Sequence, residues 1–254
     1  MYQQYIDIIK SHIRQGSLIE NIEADLTLYE DGRLRAEYAP FDYVERSARV
    51  VIVGLTPGRQ QARNALRALI EALQGGANVE VALEVAKKTG SFSGPLRRNL
   101  TAMLDHIGVN TLLGVQSAEQ LFDEEARGAH FTSALRYPVF VNGENYSGAP
   151  KPLGVPALKS MIETYLAEET AILDRAIWIP LGTHASDALL HLVASGALDR
   201  DRVLAGLPHP SGANAERVAY FLNRKGRDEL SRKTRPESIE QAREQLKGQI
   251  AKLS

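Results

Sequence analysis

Ala48-Arg49-Val50-Val51-Ile52-Val53-Gly54-Leu55-Thr56-Pro57-Gly58 is the stretch whose reading decides the fold. Four β-branched apolar residues in a row suit a strand covered on both faces, as a parallel sheet requires. The Gly/Pro turn ends that strand. A helix is then predicted over about Gln60–Leu73, with Ala62, Leu66, Leu69, Ile70 and Leu73 on its apolar face and Gly75-Gly76 as its stop. Strand, glycine turn and helix in this order form the βα unit of an open α/β sheet, which binds ligands at the carboxyl ends of its strands. A second unit lies far downstream. Arg202-Val203-Leu204-Ala205-Gly206-Leu207 reads as a strand, followed by Pro208-His209-Pro210-Ser211-Gly212 and a helix.

Working outward, His130–Leu135 and Ala176–Leu181 are strand candidates separated by a helix from about Pro156 to Leu173. Helices are also predicted at 78–89, at Pro95–His106, at Gly182–Val193 and from Pro236 to about Leu253. Toward the N-terminus, Tyr2, Ile6, Ile9 and Ile13 mark an amphipathic helix. Alternating residues on either side of Glu30-Asp31-Gly32 mark a β-hairpin. Strands alternate with helices from residue 48 onward, so the expected class is α/β, a single three-layer domain with a central parallel sheet. Residues 1–47 then form a helix-and-hairpin extension, 48–222 the core, and 223–254 a basic connector with a C-terminal helix. All 254 residues are expected to make one domain.

The composition, 44% apolar and 24% charged, suits a soluble globular protein. No segment resembles a signal peptide or a membrane span, so the expected location is the cytoplasm, without membrane association. Cysteine is absent, which excludes disulfides, thiolate zinc sites and iron–sulfur clusters. No cofactor and no metal are expected, and the expected state is a monomer. With a net charge of −1, nucleic-acid binding would need a local basic face.

Five blocks in order resemble the uracil-DNA glycosylase superfamily: Val50–Gly58, Gly90–Gly94 with the helix after it, Phe131–Leu135, Trp178–Gly182 and Leu207–Ser211. The resemblance implies a DNA glycosylase that flips a base from the stack and cleaves its N-glycosidic bond. It makes His209 the donor to the base O2, where negative charge collects. Asn99 and Thr56 join His209 as catalytic candidates, with Asn99 positioning water. Phe92 would stack on the flipped base, Ser133 would read its edge, and the turn at Leu55 and Gly58 would approach it through backbone amides. Ser211, Gly212, Arg59 and Arg217 would hold DNA phosphates. Arg63, Arg97, Arg98, Lys151, Arg224 and Lys225 lie beside the motifs in sequence and would extend that track.

Two departures bear on substrate. Leu55 and Thr56 stand where the family usually carries an acid, and Ser133 stands where an Asn would make two amide bonds to uracil. About forty residues separate Gly54 from Phe92, and Asn142–Pro152 forms a further loop, which together suggest a roomier pocket. The expected substrate is therefore a bulky modified cytosine, such as glucosylated 5-hydroxymethylcytosine in phage DNA, presented single- or double-stranded, with a role in anti-phage defence. The alternatives are a uracil-DNA glycosylase of base-excision repair and an inactive DNA-binding module of the same fold. A serine hydrolase built on Ser211 and His209 lacks the Gly-x-Ser-x-Gly elbow.

Overall fold

A computed structural model describes residues 2–123 and 126–253. In chain order its first elements are α1 (Tyr2–Gln15), α2 (Ile19–Ala24), β1 (Thr27–Asp31), β2 (Leu34–Glu37), β3 (Val50–Gly54), α3 (Arg59–Gln74) and α4 (Val79–Gly90). There follow α5 (Pro95–His106), α6 (Val109–Leu113), β4 (Ala129–Ser133), β5 (Val139–Val141), β6 (Glu144–Asn145), α7 (Pro156–Met161) and α8 (Ala167–Ile172). The last are β7 (Ile177–Pro180), α9 (Thr183–Ala194), α10 (Ala215–Phe221) and α11 (Pro236–Ala251). The class is α/β, with a sheet of order β4-β3-β7 in which β3 and β7 are parallel.

The chain sorts into two compact units. The first holds residues up to Val44, Leu55–Ser91 and Phe131–Glu169. Its core gathers Tyr5, Ile6 and Ile9 of α1, Leu66 and Leu69 of α3, and Leu83 and Ala86 of α4. The predicted N-terminal helix thus builds part of this unit's core, and Leu28 of the hairpin packs against it. Asn78 caps α4 by accepting from the Val81 amide at 3.0 Å. Gly90 lets α4 close on α3, because a Cβ there would meet the Ala65 methyl at 2.8 Å and the Phe41 ring at 3.1 Å. The hairpin pairs β1 with β2 and extends through β5 to β6 as an antiparallel sheet. The sequence reading missed β5 and β6, since three residues and two are too few to show a period. The predicted helix of 156–173 is present, with a π-wound stretch at Ile162–Leu166.

The second unit holds Glu45–Gly54, Phe92–His130 and the chain from Thr170 onward. Val50 to Val53 are wholly buried, as their apolar run predicts, and register with Ile177 to Pro180. The expected strand at Arg202–Leu207 does not form continuously. Only Val203 and Leu207 bridge to the sheet, at Trp178 and Leu181. Gly206 breaks the extension at φ +135°, a conformation L side chains rarely adopt, and a Cβ there would meet Ala242 of α11 at 2.9 Å. This close packing, together with Leu246 and Ile250, gives the C-terminal helix its seat.

Candidate active site

His209, the residue on which the predicted chemistry turns, lies two residues past the Leu181–Leu207 bridge, at the carboxyl end of the parallel strands of the second unit. Its backbone rests on Gly182, the first residue beyond β7 and its bridge. Gly182 donates to the Leu207 carbonyl at 2.9 Å, and a Cβ on it would stand 3.3 Å from the His209 Cβ. Ser211 turns its backbone N–H back to His209 Nδ1 at 3.3 Å. Nδ1 is thereby an acceptor, which leaves the ring proton on Nε2. Burial lowers the His209 pKa below the ordinary imidazole value, so the neutral form prevails at pH 7. The geometry and the electrostatics agree: this is a neutral imidazole that keeps one N–H donor, on Nε2.

Asn99, one residue in from the middle of α5, reaches the same turn. Its amide donates to the Pro210 carbonyl at 2.9 Å and so ties the His-Pro-Ser turn to that helix. Ser211 does not cap the short helical turn after it; its hydroxyl accepts from Asn214 at 3.3 Å instead. Asn214 in turn accepts from Arg217, which is exposed, as is Gly212. Phe92 is buried and holds a left-handed backbone at φ +49°, a conformation that costs a bulky residue energy and often marks a functional position. The second unit thus brings together His209, Ser211, Asn99 and Arg217 through direct or one-residue links.

In the first unit, the turn after β3 is bound to the chain at 135–145. Leu55 accepts from the Leu135 amide at 2.9 Å, two residues beyond the half-buried Ser133. The Thr56 hydroxyl donates to the Tyr137 carbonyl at 3.0 Å and accepts from the Val139 amide at 3.2 Å. Both functions of that hydroxyl are therefore committed to backbone, and its place in the structure is that of a clasp. The Gly58 amide is taken by the Gln61 side chain at 3.2 Å and the Arg59 amide by Asn145 at 2.9 Å. Since Pro57 has no N–H, an anion held by this turn would have to use the amides of Leu55 and Thr56.

Several of the basic residues are already engaged. Arg59 lies over the Phe140 ring at 4.1 Å and donates to the Gly143 carbonyl. Arg63 forms a bidentate pair with Glu23 at 2.6 and 2.7 Å. Arg97 stacks on Phe122 at 4.3 Å, and Lys225 pairs with Glu216 at 3.0 Å. Sequence reasoning also missed two supports. Gly182 as the seat of His209 was signalled by the Leu-Gly step after a strand, whereas nothing local marked Asn145. Among the described residues, no group of three or more His, Asp or Glu could hold a metal ion, and no helix is long and apolar enough to cross a membrane.

The chain is similar over 231 residues, at 34% identity, to the "Uncharacterized protein YoxB" of Bacillus subtilis (strain 168), covering 89% of this chain and 90% of that one. No solved structure matches it. The family description that matches is the uracil DNA glycosylase superfamily, over residues 41–247, which takes in both the turn after β3 and the His209 turn. With the parallel sheet and a His-Pro-Ser turn at its strand ends, that match means that the chain belongs to the uracil DNA glycosylase superfamily.

Proposed function

We propose that this protein is a monofunctional DNA glycosylase in which His209 stabilises the departing base. The observation that carries the reading is the Ser211 amide on His209 Nδ1, which leaves a neutral Nε2–H donor on a half-buried ring. In the proposed reaction the C1′–N1 bond breaks and its electron pair passes into the base, collecting on O2. Water then adds to C1′, the proton it loses passes through solvent to the departed base anion, and an abasic site and the neutral free base are left. A neutral donor suits this step, because it stabilises O2 as charge develops without protonating the base beforehand. No lysine lies in the motifs to act as an amine nucleophile, so no strand-cleaving step is proposed.

The proposed substrate is a bulky modified cytosine, with glucosylated 5-hydroxymethylcytosine in phage DNA as the concrete case and anti-phage defence as the role. Ser133 supports it, since a hydroxyl cannot reproduce the paired bonds of an amide to uracil. A binding-only reading draws on one observation: among the described residues, no carboxylate contacts the His209–Ser211 turn.

The deciding experiment measures abasic-site formation on DNA carrying uracil, 5-hydroxymethylcytosine or its glucosylated form, under single-turnover conditions, with His209→Ala in parallel. Release is expected fastest from the glucosylated base, and loss of the His209 donor is expected to slow it by about 100- to 1,000-fold. Faster release of uracil would reverse the substrate assignment and keep the enzyme. Release from none of the three by a protein that still binds the DNA would favour the binding module.

A further inference from the structure

At the opposite ends of the same strands lies a basin of about 350 Å³ that the proposed chemistry does not use. Arg49 stands immediately before β3, Arg175 two residues before β7, and Arg202 immediately before the bridging residue Val203. All three line the basin, and Arg46 joins them. These are the amino ends of three adjacent parallel segments, whereas His209 follows their carboxyl ends. Five residues of strand separate the two ends of β3, or about 15 Å at ~3.3 Å per residue.

Four arginines line one hollow, and their positive charges repel one another unless something neutralises them. Among the described residues, no acidic side chain lines the basin. Glu45, the buried carboxylate next to Arg46 in sequence, is spent elsewhere: it accepts from the Ser47 amide and hydroxyl at 3.1 and 2.6 Å and faces Arg127 at 3.5 Å. Among the described residues, the side chains of Arg46, Arg49 and Arg175 have no ion pair or hydrogen bond, and all three are exposed. Arg202 is half-buried and aimed by its bond to the Arg175 carbonyl at 2.8 Å. The hollow would hold roughly twelve waters at ~30 Å³ each, which is room for two linked phosphates and far too little for a duplex. Guanidinium forks match phosphate oxygens in pairs.

We infer that this basin is a second anion site, binding a phosphate-bearing polyanion at the amino ends of the strands. The phosphates could belong to a free oligophosphate or to a nucleic-acid backbone crossing this face, and the test separates the two. The inference does not depend on glycosylase activity.

The experiment compares the wild-type chain with Arg46→Gln/Arg49→Gln/Arg175→Gln, first by calorimetric titration with inorganic pyrophosphate. A labelled 12-nucleotide single strand is then titrated at several salt concentrations. Saturable pyrophosphate binding that weakens at least tenfold in the variant assigns the site to free oligophosphates. No pyrophosphate binding, with a log K against log[salt] slope shallower in the variant by about two, assigns it to a nucleic-acid backbone. Equal behaviour of both proteins toward both probes overturns the inference. Thermal melting checks the fold. If the triple variant melts early, Arg46→Gln and Arg49→Gln singly are each expected to weaken binding about threefold, and no effect in either overturns the inference as well.

Discussion

Gly182→Ala tests whether the seat beneath His209 sets the position of the imidazole. Gly182 adopts φ +80° and ψ 179°, a region essentially reserved for glycine, which costs another residue about 1–3 kcal/mol. For a chain of this size that strain corresponds to a fall in melting temperature of about 2–12 °C. The new methyl would also stand 3.3 Å from the His209 Cβ and 3.7 Å from its amide nitrogen. The neighbour must give by a few tenths of an ångström, and what gives is the backbone that carries the ring. A misplacement of 1 Å can cost about 100-fold in rate, so a shift of this smaller size is expected to cost about tenfold.

The control is Gly32→Ala in the β1–β2 turn, where φ is +57° and a Cβ would meet nothing within 4 Å. That variant should show strain alone. Three measurements test it: thermal melting of both variants, the titration of the His209 ring by NMR, and single-turnover base release. The expected result is destabilisation in both and a displaced His209 titration only in Gly182→Ala. If Gly182→Ala melts early yet leaves the His209 titration and base release unchanged, Gly182 does not seat the ring and the reasoning fails.

Three further expectations follow from single contacts. Asn99→Ala removes the amide that holds the Pro210 carbonyl and should cost about 0.5–1.5 kcal/mol in urea unfolding; an unchanged midpoint would mean the clamp is idle. Arg136→Met removes the ion pair of the fully buried Glu169, so it should destabilise by about 3–5 kcal/mol, and a loss under 1 kcal/mol would refute the pairing. Glu216 is held down to about 2 by hydrogen bonds from Thr234, Ser231 and Lys225. A carboxylate with a depressed folded pKa contributes stability above its unfolded value, and loses it as pH falls through the folded one. Wild type should therefore lose stability between about pH 4.5 and 2 more steeply than Glu216→Gln, and identical pH profiles would remove Glu216 from that account.

How far the sequence could be read depended on the range of the forces involved. The buried run Val50–Val53 and the stripe Tyr2, Ile6, Ile9 and Ile13 state their structure locally, because burial on both faces or along one stripe dictates residue type at a fixed period. The His209 turn was legible for the same reason, as a short polar segment between a buried run and a helix. Arg202–Leu207 misled because its composition is that of a strand, while Gly206 answers to α11, which comes some forty residues later in the chain. The basic track misled in another way. A sequence gives the positions of Arg63 and Arg97 but not their partners, and Glu23 and Phe122 are distant in sequence. Asn145 clasps the Arg59 amide across more than eighty residues, a contact with no local trace.

Position 56 shows how such long-range contacts reinterpret a motif. The resemblance raises the expectation of an acid there, yet the local hydrogen bonding asks for something an ionised carboxylate lacks. The group at 56 must donate to the Tyr137 carbonyl and accept from the Val139 amide, and a carboxylate only accepts. A hydroxyl does both. The segment that receives these bonds is itself fixed by buried charge. Arg136 binds Glu169 at 3.0 Å and the Tyr165 carbonyl at 2.8 Å, while Tyr137 and Tyr38 donate to Asp42 at 2.5 and 2.8 Å. Burial raises the Asp42 pKa, an effect that the two tyrosine hydroxyls oppose. Lys87, lowered to about 8 by burial, donates to the neighbouring Phe41 carbonyl at 2.7 Å. Groups this costly to desolvate hold only when each finds its partner, so the residues around 135–139 have little freedom to shift. Thr56 is the point at which that rigidity passes to the turn after β3. The turn can offer backbone held in place, but the Thr56 hydroxyl proton is already donated to Tyr137, so that side chain has no proton to give a substrate. In the proposed reaction the donor is therefore sought at His209, whose Nδ1 accepts from the Ser211 amide and whose ring proton is left on Nε2.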